Sequence, residues 1–221
     1  MRTRARSLAL LVLVLVAKAV VAFPSPQSDQ SPLERPPLRI AFFGDSLTAG
    51  YGVAEEEAFP YLLERALGER GHEVAILNAG VSGDTTAGGL RRIAWVLRQR
   101  PDILVVGLGG NDGLRGLPIE MTEANLGQIV AEAEEAGSRV LLLGMLMPPN
   151  YGPAYTEGFA AIFPRLAERL GVPLVPFLLD GVGGRPELNQ DDGIHPTAAG
   201  HRILASTVYR YLEALVLDLE K

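Results

Sequence analysis

Ser46, Asn111, Asp192 and His195 carry the side chains of this sequence that could together perform a reaction. Ser46 lies in Ile40-Ala41-Phe42-Phe43-Gly44-Asp45-Ser46-Leu47-Thr48, where a short apolar run gives way to Gly-Asp-Ser-Leu. Such a run reads as a buried strand. The Gly permits a sharp turn, and the Ser falls where a following helix begins. Backbone N–H groups at a helix start lack intrahelical partners and point at whatever sits there. A hydroxyl in that position can attack an acyl carbon while nearby amides receive the oxyanion. Alone, such a Ser more commonly caps a helix than reacts. The rest of the chain must therefore supply a base, an orienting acid and further donors.

Asp191-Asp192-Gly193-Ile194-His195-Pro196 supplies the first two. In Asp192-x-x-His195 the side chains meet across one tight turn, so the carboxylate can hold one ring nitrogen and leave the other as a base toward Ser46. Asp191 is a rival, but the spacing favours Asp192. The other histidines, His72 in a Gly-His-Glu turn and His201 in the last helical stretch, read as structural or solvated. Gly107-Leu108-Gly109-Gly110-Asn111-Asp112-Gly113 offers the Asn111 amide as a donor that cannot ionise, although an Asn among glycines also suits an ordinary turn. Asn78-Ala79-Gly80-Val81-Ser82-Gly83-Asp84-Thr85-Thr86 lets backbone approach a ligand through Gly80 or Gly83, or is a plain strand–helix turn. Ser82 is a rival nucleophile, but the chain has no Gly-x-Ser-x-Gly elbow. With no Cys and dispersed His, neither a metal site nor a cofactor is expected.

The elements that must position these residues alternate regularly. Strand-like runs fall at Arg39–Phe43, Val74–Asn78, Ile103–Leu108, Val140–Met145 and Pro173–Phe177. Amphipathic stretches fall at Ala58–Arg70, Leu90–Arg100, Met121–Ala136, Tyr155–Leu170 and Thr197–Leu219. This alternation predicts an α/β fold with a mostly parallel five-stranded sheet covered on both faces. Ligands bind at the carboxyl ends of such strands, and each polar cluster follows a strand.

Residues 1–22 read as a secretory signal, with Arg2, Arg4 and Arg6, an apolar core from Leu8 to Ala17, and Val20-Val21-Ala22 at the cleavage site. A retained membrane anchor is the alternative, but the core is short beside the ~20 residues of a spanning helix, and no Cys allows lipid attachment. Residues 23–37, rich in Pro, Ser and Gln, read as a flexible tether, leaving 38–221 as one domain. Loss of residues 1–22, with four cationic side chains and no acid, takes the net charge from −6 to −10. That balance argues against nucleic acid or an anionic membrane as the main partner.

The chain resembles the SGNH, or GDSL, hydrolases, and within them the bacterial periplasmic arylesterase/lysophospholipase/acyl-CoA thioesterase I subgroup. Four blocks carry the resemblance in order: Gly44-Asp45-Ser46-Leu47, Val81-Ser82-Gly83-Asp84-Thr85, Gly109-Gly110-Asn111-Asp112 and Asp192-Gly193-Ile194-His195-Pro196. Pro149-Asn150-Tyr151-Gly152 also resembles the subgroup. The resemblance implies a three-layer α/β/α, flavodoxin-like sandwich. It implies Ser46 as nucleophile, His195 as base and then acid, and Asp192 as its orienting partner. It implies an oxyanion hole from the Ser46 and Gly83 N–H groups and the Asn111 side chain. The substrate would be a small-molecule or lipid ester, with no stable membrane insertion after signal cleavage and a periplasmic or secreted location. Thioester cleavage is within the chemistry, but export puts coenzyme A thioesters out of reach. The apolar Met145-Leu146-Met147-Pro148-Pro149-Asn150-Tyr151 reads as a wall of an acyl pocket facing Leu114, with Met147 and Tyr151 as contacts, or as a loop over core. The alternatives are an acetylesterase of cell-envelope carbohydrate and an inert binding protein on the same sheet.

Overall fold

A computed structural model describes residues 36–221. The expected signal, 1–22, and all but the last two residues of the expected tether lie outside the described residues. The strands are β1 (Leu38–Gly44), β2 (Val74–Gly80), β3 (Ile103–Gly107), β4 (Arg139–Leu143) and β5 (Leu174–Val175). They form one sheet in the order β2-β1-β3-β4-β5, and every pairing is parallel. Ile40 to Phe43 and Ile103 to Val106 are fully buried, as strands covered on both faces require.

The helices are α1 (Ser46–Ala49), α2 (Phe59–Glu69), α3 (Thr86–Leu97), α4 (Gly110–Leu114), α5 (Ile119–Glu135), α6 (Pro153–Ala160), α7 (Ile162–Leu170) and α8 (Ala198–Leu219). One layer pairs α2 with α8, and the other packs α3 on α5 and α5 on α7. Phe59, Leu63 and Leu67 of α2 and Leu204, Val208, Leu212 and Val216 of α8 recur every fourth residue and are buried, as an apolar helical stripe does. The expected α/β/α sandwich is present.

Strand order reverses between β1 and β3, so their carboxyl ends flank the crevice where such sheets bind ligands. Gly44 pairs with both Gly80 and Gly107, a row of three glycines across that edge. A Cβ on Gly44 would lie 2.0 Å from Thr48 Oγ1, and one on Gly80 2.3 Å from the Ala49 backbone N. Only hydrogen atoms at these positions let α1 fold back onto the strand ends.

Three elements depart most from their expected bounds. The stretch Tyr155–Leu170 is two helices, broken at Ala161. Pro164, which lacks an N–H, is tolerated only in the first turn of the second. The last strand keeps two of its five residues because Pro173 and Pro176 bracket it without donors for the ladder. α3 starts at Thr86 rather than Leu90, capped by Thr85 Oγ1, which accepts the Gly88 N–H at 3.2 Å. Gly88 and Gly89 sit inside the helix, and a Cβ on Gly89 would come within 2.4 Å of Leu108 Cδ1.

Candidate active site

Asp45 turns the chain from β1 into α1. Its side chain caps the helix, Oδ1 accepting the Leu47 N–H at 3.0 Å, and this sets Ser46 at the carboxyl edge. The loop carrying His195 is closed by an antiparallel bridge between Asn189 and Pro196, with the Gln190 N–H donating to the His195 carbonyl at 2.7 Å. Within it, Asp192 Oδ1 accepts the N–H groups of Ile194 and His195, both at 3.0 Å. Its other oxygen lies 2.6 Å from His195 Nδ1.

The bond with His195, followed by the two backbone donors, holds the Asp192 carboxyl down at about 2. An ionised carboxylate only accepts, so Nδ1 carries a proton and Nε2 of the neutral ring is the acceptor. Nε2 lies 2.9 Å from Ser46 Oγ. Ser46, His195 and Asp192 therefore form one hydrogen-bonded line. Asp191, the rival acid, makes no bond to His195, and Ser82, the rival nucleophile, lines the same cavity without bonding it.

The donors meet across the switch point. The Gly80 N–H is engaged by Asn78 Oδ1 at 3.0 Å, whereas those of Ser46 and Gly83 have no acceptor among the described residues. Asn111 Nδ2 donates to Asp45 Oδ2 at 3.3 Å. Asp45 thereby uses one N–H of that amide and leaves the other free. Burial pushes the Asp45 carboxyl up to about 6, against the Leu47 N–H, which lowers it.

Asn111 is braced by its neighbour. Asp112, fully buried, accepts from the Thr86 N–H at 2.8 Å and Thr86 Oγ1 at 2.5 Å, with Thr122 Oγ1 at 3.5 Å, so α3, α4 and α5 meet on one carboxylate.

Ser46, Gly83, Asn111 and His195 open onto a cavity of about 620 Å³ walled by Met145, Leu146, Met147, Phe177, Leu179 and Ile194. Leu114 and Met147 line it; Tyr151 does not. The Tyr151 hydroxyl instead donates to the Leu114 carbonyl at 2.8 Å, which fastens one loop to the other. Tyr155 does the same to the Leu117 carbonyl at 2.8 Å.

Two residues not singled out from the sequence complete the setting. The Tyr51 ring lies 4.6 Å from the His195 imidazole. Gln190 Nε2 bridges the Tyr51 carbonyl at 2.7 Å and the Pro196 carbonyl at 3.0 Å, joining the Ser46 and His195 segments. The only cue to the first was a Tyr between two glycines close after Ser46; none marked Gln190. His201 is buried in α8 and His72 pairs with Glu220 at 3.0 Å, both away from the cavity. Among the described residues, no cluster of three or more His or carboxylate side chains is placed to hold a metal ion, and no helix is long and apolar enough to cross a membrane.

The chain is 41% identical over 174 residues to Esterase TesA of Pseudomonas aeruginosa, covering 78% of this chain and 87% of that protein. It is 40% identical over 178 residues to thioesterase 1/protease 1/lysophospholipase L1 of Escherichia coli strain K12, covering 80% and 84%. The crystal structure of TesA superposes with a TM-score of 0.78 at 40% identity, over 80% of this chain and 99% of that one. The model of the GDSL-like lipase/acylhydrolase family matches residues 42–203. With Gly-Asp-Ser-Leu at the head of α1 and its Ser bonded to His195, the chain belongs to the GDSL-like lipase/acylhydrolase family of ester hydrolases.

Proposed function

We propose that this chain hydrolyses carboxylic esters with an acyl group of some length, through an acyl-enzyme on Ser46. The observation that carries this reading is the line Asp192–His195–Ser46 opening into an apolar cavity. His195 Nε2 takes the Ser46 proton as Oγ attacks the carbonyl carbon. The resulting oxyanion is received by the N–H groups of Ser46 and Gly83 and by the free N–H of Asn111. Collapse expels the alcohol, which takes the proton from His195. Water, deprotonated by His195, then attacks the acyl carbon; the bond to Ser46 Oγ breaks, Oγ takes the proton back from His195, and the acid leaves. Asp192 stays ionised throughout and stabilises the transient imidazolium.

The Met-rich wall adapts to acyl chains of different length. Lysophospholipids are supported by the name of the Escherichia coli relative, and aryl esters by the resemblance to the arylesterase subgroup. Thioesters are open to the same chemistry. The Arg-rich start and apolar core of residues 1–22 support export to a periplasm or the outside, where oxygen esters are the accessible substrates.

Hydrolysis of p-nitrophenyl esters graded from acetyl to palmitoyl tests the reading, with Ser46→Ala as control. Turnover rising beyond acetyl and lost in Ser46→Ala is expected. Turnover confined to acetyl would assign an acetylesterase, and turnover that survives Ser46→Ala would remove the nucleophile.

A further inference from the structure

Of the three oxyanion donors, Gly83 alone lies outside a helix, since Ser46 opens α1 and Asn111 lies in α4. It sits between β2 and α3, in a loop whose own bond is the Asp84 N–H to the Val81 carbonyl at 3.0 Å, and takes φ 77°. Electrostatic stabilisation of an oxyanion depends on donors already held where charge develops. Something must hold this loop against the segment carrying Ser46.

We propose that Arg92 is a positioning residue that sets the Gly83 donor at its working distance from Ser46; this rests on the ester-hydrolase reading above. Arg92, on α3, uses its fork on three chain segments. Nε donates to Asp84 Oδ2 at 2.7 Å, Nη1 to the Ala79 carbonyl at 2.7 Å and Nη2 to the Gly44 carbonyl at 2.9 Å. Its guanidinium carbon lies 4.2 Å from the centre of the Phe43 ring. Gly44 stands two residues before Ser46, and Asp84 immediately follows Gly83. One rigid plane thus measures the gap between the two backbone donors. The Gly44 carbonyl also accepts the Val81 N–H at 3.0 Å, tying the start of the same loop to the same atom. From the other side, Arg115 Nη2 donates to the Gly83 carbonyl at 2.9 Å. Gly83 is held from both sides, while its own N–H, in the preceding peptide, has no acceptor among the described residues.

Arg92 does not line the cavity, so it acts only through what it holds. The contacts with Asp84 are three-quarters or more buried, at 22% and 11% side-chain exposure. A Lys can supply the charge, but its point-like ammonium cannot span three acceptors and stack on Phe43 at once.

The test compares the parent with Arg92→Lys, Arg92→Met and Asp84→Asn on p-nitrophenyl butyrate, at a temperature where thermal melts show each variant folded. The rate of inactivation by an ethylphosphonate ester is read in parallel, because phosphonylation of Ser46 needs the same donors. A kcat lower by about tenfold in Arg92→Lys and Asp84→Asn and by ~10² in Arg92→Met is expected, toward the loss of one donor. KM should stay within about twofold, and phosphonylation should slow in step. The double variant Arg92→Lys/Asp84→Asn should lose little more than either single one, because the two act as a unit. Should Arg92→Met fail to fold, the other two variants decide. An active parent with kcat unchanged in both, or with the whole loss in KM, overturns the role of Arg92 alone. A parent inactive on every ester overturns the ester-hydrolase reading and this role together.

Discussion

Replacing His201 by Asn removes one of two buried titratable groups whose effects on the pH dependence of stability oppose each other. The His201 ring packs on Phe59 at 6.3 Å, its Nδ1 accepts the Phe59 N–H at 3.3 Å, and its buried Nε2 has no partner among the described residues. Burial, partly countered by Glu57, pulls the imidazole from 6.5 down to about 4. Between those values the unfolded chain binds a proton that the folded chain refuses, so stability falls as pH drops from 6.5 through 4. The full span corresponds to about 3 kcal/mol. Asp45 runs the other way. Burial lifts it from 3.8 to about 6, so the folded chain holds a proton that the unfolded chain has lost, and stability falls as pH rises through 6. That span is also worth about 3 kcal/mol. In the parent the two slopes nearly cancel. In His201→Asn, whose Oδ1 can still accept the Phe59 N–H, the Asp45 slope stands alone, and stability should drop by about 3 kcal/mol from pH 4 to 7. In Asp45→Asn it should rise by a similar amount, ~3 kcal/mol. Urea unfolding followed by circular dichroism across that range measures both. Parallel pH–stability curves for the two variants would refute the reasoning.

Asn111→Ala should lower kcat by about 10²–10³ with KM little changed, the loss for one oxyanion donor; steady-state kinetics on a single ester decide, and a parental kcat would remove Asn111 from the hole. In Gly113→Ala, the new methyl would lie 2.3 Å from Met147 Sδ, so the flexible Met must swing into the cavity. The p-nitrophenyl series should then shift toward shorter acyl groups, while Met147→Ala shifts it toward longer ones. Tyr151→Phe, outside the cavity, should leave that ranking in place; a reordered ranking would return the ring to the substrate. Thr86→Val strips the fully buried Asp112 of a hydroxyl donor at 2.5 Å and should cost about 1–3 kcal/mol in urea unfolding. A cost below ~0.5 kcal/mol would mean that the carboxylate finds another donor.

The alternation of strands and helices was legible because buried parallel strands are apolar throughout and helices carry a stripe every third or fourth residue. The pair Asp192 and His195 was legible because it is made within four residues, and spacing reports local geometry. The break at Ala161 is not legible from periodicity, because the apolar pattern runs through it and the missing N–H of Pro164 leaves no mark on that pattern. The apolar neighbourhood of Tyr151 suggests a place in the cavity, whereas its hydroxyl bonds the Leu114 carbonyl and the ring is not among the lining side chains. Tyr51, Arg92 and Gln190 each join segments distant in the chain, Arg92 through the Gly44 carbonyl 48 residues away. Gln190 binds the Tyr51 carbonyl, 139 residues away. Nothing in the neighbours of such a residue announces a partner that only the completed fold brings near.

That contrast bears on when the chain becomes active. Asp192 and His195 are three residues apart and their loop closes on itself, so the acid–base pair can form early and at small entropic cost. Ser46 and His195 are separated by 149 residues, and their contact waits on the whole sheet and both helical layers. During refolding, ester hydrolysis should return only with the last long-range docking, later than helix content. A chain kept unfolded would carry the base and its acid without a nucleophile to serve, and its hydrolytic power is switched on by the closing of the fold itself.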